Sequence, residues 1–169
     1  MAGQLVQVAT HTISSAVSSV TLTGINTDDV YLLAFNNILL DTDSAQIRFR
    51  VTTSGSADSD SEYDRAHKVP RTSSTFANVN STNQTYWVYN ELGTAGNEQA
   101  NGLMYLYNFN DSSEFSFYTL ETAERISSGE LQGIAGAGLH TVTEANDGIH
   151  ALVSTGNFSA GTFTLFRII

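Results

Sequence analysis

Seven residues, Asp58-Ser59-Asp60-Ser61-Glu62-Tyr63-Asp64, carry the densest run of chemistry in the chain. Carboxylates at Asp58, Asp60, Glu62 and Asp64 place oxygens at alternate positions, as calcium loops do. An EF-hand loop, however, needs Gly at its sixth position and Glu at its twelfth. Those positions hold Tyr63 and Val69, which favours a solvated acidic loop over a cation site.

A second run, Tyr86-Trp87-Val88-Tyr89, contains the single tryptophan. In a strand Trp87 and Tyr89 share one face, and Tyr86 and Val88 the other. An exposed Trp87 with Tyr86 or Tyr89, flanked by Asn83, Asn90 and Asn97, would make a sugar-binding platform. The plainer reading is core and sheet packing. Leu103, Tyr105, Tyr107 and Phe109 form a further stripe, as do Phe115 and Phe117, and these read as core.

Other chemistry finds no anchor. His11, His67, His140 and His150 are scattered singly, without the spacing of a zinc site. There is no Gly-x-Ser-x-Gly elbow for a hydrolase nucleophile, and no cysteine. Glu114, Glu121, Glu124, Glu130 and Glu144 are available for acid–base work, but nothing in the sequence pairs two of them. Gly133–Gly138 resembles a phosphate loop in composition only. It reads as a glycine-containing strand against which another backbone comes close. No cofactor is expected, and the chain reads as non-enzymatic.

The composition narrows the partners. With 17 acidic against 7 basic residues the formal net charge is −10, the wrong sign for a nucleic-acid footprint. The basic residues are Lys68 and six arginines. Arg48, Arg50, Arg65 and Arg71 supply nearly all the positive charge of the first half and are expected to meet acidic partners at an interface. No apolar run is long enough to span a bilayer as a helix, so no membrane partner is expected.

The elements that hold these residues repeat with period two. Ile47, Phe49 and Val51 alternate with Arg48 and Arg50; Val20 and Leu22 with Thr21 and Thr23; Ile149, Ala151 and Val153 with His150 and Leu152. Further strands are expected at 4–12, 29–40, 84–92, 102–109, 114–121, 131–143 and 162–168. Leu120–Ile126 is the one helix candidate, and serves equally as a strand end. Ser, Thr and Asn make up 52 of the 169 residues and fit the outer faces and turns of such strands. Together these predict an all-β chain: a single antiparallel β-sandwich domain of nine or ten strands over 1–169. A long loop excursion lies near 53–82, with a short strand at Glu62–Val69.

Five segments carry a family resemblance. Ser18-Ser19-Val20-Thr21-Leu22-Thr23-Gly24-Ile25 is followed by Val30-Tyr31-Leu32-Leu33 and then by the arginine-bearing Gln46-Ile47-Arg48-Phe49-Arg50. An acidic Gly/Ser loop from Gly55 closes on Tyr63, and Gly161–Ile168 forms a final strand. The pattern resembles jelly-roll virion structural proteins of tailed, marine-type bacteriophages. These serve as capsid decoration subunits, head fibres or tail-fibre modules. The resemblance implies a jelly roll, localisation in the virion, and contact with other virion proteins and with copies of itself, expected as a homotrimer. Without a fibre shaft or coiled coil in the sequence, a capsid decoration or cement subunit is the expected role. A tail-fibre module recognising host-surface glycan is the alternative. The segment Met1–Ile13 is expected to pair with a neighbour by strand addition.

Overall fold

The computed structural model describes residues 3–73 and 76–169. Among these residues it is all β, with fourteen strands in two antiparallel sheets. The strands are β1 (Leu5–Thr12), β2 (Ser19–Thr23), β3 (Tyr31–Leu40), β4 (Ala45–Thr53), β5 (Ser56–Ala57), β6 (Tyr63–Val69) and β7 (Ala77–Gln84). They continue as β8 (Trp87–Leu92), β9 (Ala100–Tyr107), β10 (Phe115–Arg125), β11 (Leu131–Gln132), β12 (Ala135–Thr143), β13 (Gly148–Val153) and β14 (Phe158–Ile168). The larger sheet runs β1-β14-β3-β9-β10-β12-β6-β7, with β11 beside β10. The smaller runs β2-β13-β4-β5, with β8 also paired to β4.

Alternation decides which side chains meet between the sheets. Ile47, Phe49 and Val51 of β4 point inward, as do Ile149, Ala151 and Val153 of β13. Tyr31, Leu33 and Phe35 of β3 and Met104 and Leu106 of β9 face them from the larger sheet. Phe35 touches both layers, with ring centroids 5.9 Å from Phe49 and 6.1 Å from Phe163. One apolar core therefore draws on both sheets.

Two expectations change here. Leu120–Ile126 is not helical: β10 continues to Arg125, with alternate residues buried through Leu120. The excursion near 53–82 is also less of a loop than its composition suggests. It supplies β6 and β7, which extend the larger sheet by pairing β6 with β12. Few large apolar residues mark β7 because its outward side chains are exposed Asn and Thr. The N-terminal β1 pairs within its own chain, against β14, and forms one edge of the larger sheet.

Candidate functional site

The acidic loop does not close on itself. It closes on a histidine from β12. His140 is fully buried, and its Nε2 lies 2.9 Å from Oδ2 of Asp58 and 3.5 Å from Oε2 of Glu62. On the other side of the ring, Oε1 of Glu144 stands 4.0 Å from Nδ1. Backbone contacts hold the loop in place. The Asp60 N–H donates to Oδ1 of Asp58, the Tyr63 hydroxyl donates to the Asp58 carbonyl, and the Thr141 N–H donates to the Glu62 carbonyl. The Tyr63 ring packs on the imidazole at 4.9 Å.

This geometry separates the two carboxyls. Burial opposes the charge on Asp58, but the Asp60 N–H and the His140 imidazole outweigh it and hold the carboxyl below its usual range. Glu62 moves up, through burial and then the neighbouring Asp58 charge. Asp58, Glu62 and His140 each offer one ligand atom, all within 4.8 Å of one another, so among the described residues these three could hold a divalent cation. The run does not gather its own four carboxylates. Asp60 is exposed, and Asp64 turns away to accept the Asn83 N–H. Sequence spacing missed His140 because it lies 82 residues from Asp58, and only the pairing of β12 with β6 brings them together.

The aromatic platform is a second correction. Trp87 is 1% exposed and Tyr89 3%. Trp87 stacks edge-on against Tyr63 and Tyr118 and donates its Nε1–H to the Leu139 carbonyl. Both face the core because β8 lies against β4 in the smaller sheet. Tyr86 is half-buried under the Arg48 guanidinium, 4.1 Å from its ring centroid. The side chain of Asn90 lies outside the described residues. No sugar platform forms at Trp87.

The arginines also turn to their own chain. The Arg50 Nε donates to the Thr85 carbonyl, and Arg48 to the Gln46 side chain. Arg65 lies inward, bonded to Ser81 and to the Val88 carbonyl, and burial lowers its pKa. Arg71 is the exposed one of the four.

What the stripes read as core supply instead is an outer face. Phe109 is buried, but Leu103, Tyr105, Phe115 and Phe117 are 37–41% exposed. They sit on the side of β9 and β10 opposite Met104, Leu106 and Tyr118. Cross-strand pairing joins them into rows: Tyr107 beside Phe117 beside Leu139, and Leu32 beside Tyr105 beside Thr119 beside Ala137. The same face carries Asp64 and Lys68 on β6, and Glu121 between Leu103 and Ala135. Period-two spacing grouped Leu103, Tyr105 and Tyr107, but Phe109 lies past the end of β9 and does not share their face. It could not say which of the two faces of a strand the second sheet covers.

No family model, curated protein or solved structure matches the chain.

Proposed function

We propose that the chain is a jelly-roll structural subunit of a tailed-phage virion, a decoration or cement module at the particle surface that acts by making contacts rather than by catalysis. Its strand order supports the jelly roll. With β5–β7 and β10–β12 set aside as insertions, eight strands remain. Numbered along the chain, they lie first-eighth-third-sixth in the larger sheet and second-seventh-fourth-fifth in the smaller. This order is the one expected of the double Greek-key winding of a jelly roll, and so supports that reading. The two insertions pair with each other through β6 and β12 and double the width of one sheet.

The observation that carries the functional reading is the outer face so widened. On the outer side of its larger sheet, a chain of net charge −10 exposes Leu103, Tyr105, Phe115 and Phe117 together. Exposed apolar area of that kind marks contact surfaces. Elsewhere polar side chains are spent on fixing loops. Asp147 accepts the Thr52 hydroxyl and the Gly55 N–H, and Asp41 accepts both the backbone N–H and the side-chain amide of Asn157. A rigid, loop-tied module suits a static lattice better than a cleft that must open.

Its abundance in purified particles tests the reading. Abundance comparable with the shell protein supports decoration. A handful of copies per particle moves the chain to the tail, and absence from particles overturns the proposal.

A further inference from the structure

We infer that the outer face of the larger sheet is a two-fold contact with a second copy of this chain. The inference rests on the assembly reading above and names the partner for that face.

The face carries two complementary shapes side by side. Tyr105, Phe115 and Phe117 stand out from β9 and β10 as a ridge of large side chains. Next to it, β12 and β6 present Ala135, Ala137 and Ala66, all small and exposed. Around Ala66 and Ala137 lies a shallow hollow of about 290 Å³, bounded by Phe117, Leu139 and Thr82 and, on β6, by Asp64 and Arg65. A ridge and a hollow on one face fit each other when a second copy is turned by a half rotation, each ridge entering the other's hollow. Because ridge and hollow share one face, two copies satisfy both at once and the arrangement closes as a pair, and not as the trimer that the family resemblance implies.

Area and charge agree with this partner. From β14 to β6 the face spans six strands. At strand spacing this is roughly 30 Å by 25 Å, close to the ~800 Å² per partner of a stable interface. Two chains of the same negative sign can approach only where charge is low, and the row Leu32, Tyr105, Thr119, Ala137 and Ala66 crosses the face without a charge. Asp64 and Lys68 stand on β6 at one side of the span, and Glu121 of β10 interrupts the next row, between Leu103 and Ala135.

The test is the mass of the isolated full chain in solution, measured by sedimentation or light scattering. Wild type is expected to be a dimer at about 100 μM, above the micromolar-to-picomolar range of interfaces this size. Phe117→Asp and Ala137→Arg should each give a monomer, one by charging the ridge and the other by filling the hollow. Asn97→Asp, on an exposed loop, should remain dimeric. An unchanged circular dichroism spectrum and melting curve show that the variants fold; a variant that does not is replaced by Tyr105→Asp, read the same way. A monomeric wild type, a trimer, or a dimer that survives Phe117→Asp overturns the inference. Because this readout needs no particle, it fails independently of the virion reading, which falls only if the chain is absent from particles.

Discussion

The imidazole Nε2 of His140 lies 2.9 Å from Oδ2 of Asp58, joining β12 to a loop 82 residues earlier in the chain. The ring is fully buried, so this contact is the peg on which the acidic loop hangs. His140→Ala leaves a cavity and unpairs the Asp58 carboxylate, and should cost about 2–3 kcal/mol in denaturant unfolding. Asp60→Asn changes an exposed side chain in the same loop and should stay within about 0.5 kcal/mol. Because the folded Asp58 carboxyl is held below its usual range, its contribution is present above the unfolded pKa. It is lost as pH falls through the lower folded value. Equal effects of the two variants would contradict this role for the pair.

Two buried groups should give opposing pH dependence. Burial pushes Glu124 up to about 7, against hydrogen bonds from Tyr89 and Gln132. Its contribution to stability is full below the unfolded carboxylate value and is lost as pH rises towards 7. Burial, with nearby Arg65, takes His67 down to about 4. Between pH 4 and the ordinary histidine value the unfolded chain binds more protons at this site, so stability rises with pH. Each slope is worth at most about 3 kcal/mol, and in wild type they largely cancel from about pH 4.5 to 6.5. Melting scans of Glu124→Gln should therefore rise through this window, and those of His67→Phe should fall. Parallel pH curves for the two variants would contradict the assignment.

The glycines of β12 mark a close approach. A methyl group on Gly136 would lie 2.3 Å from the Ala66 carbonyl oxygen, and one on Gly138 would lie 2.1 Å from the Tyr118 ring. Gly138→Ala should destabilise by about 1–3 kcal/mol through overpacking. Gly96→Ala, in open space, should be close to neutral. Chemical denaturation of the two variants separates these outcomes.

Trp87 should behave as a core residue. Its replacement by Ala is expected to cost about 3–5 kcal/mol, and its fluorescence in the native chain should be blue-shifted and poorly quenched by iodide. Ready quenching in the folded protein would contradict its burial between Tyr63 and Tyr118.

Strand alternation made much of this fold legible. Val20 and Leu22, then Ile47, Phe49 and Val51, and then Ile149, Ala151 and Val153 all face the core as their spacing indicates. The close approach at Gly133–Gly138 was legible too, since glycine in a strand has few other uses. Burial of both ends of a contact was not. His140 and Asp58 meet only because β6 and β12 pair, a non-local event with no mark at either residue. The same limit applies to Leu103, Tyr105, Phe115 and Phe117. Their period of two fixes that they share a face, while the strand order decides that this face lies outside.

The most direct test is the density of this chain in a reconstruction of the intact particle. The account expects a two-sheet module on the particle surface, with Tyr105 and Phe117 covered by the same face of a second copy. A particle that lacks the chain, or one in which that face of the larger sheet is turned to solvent, would contradict it.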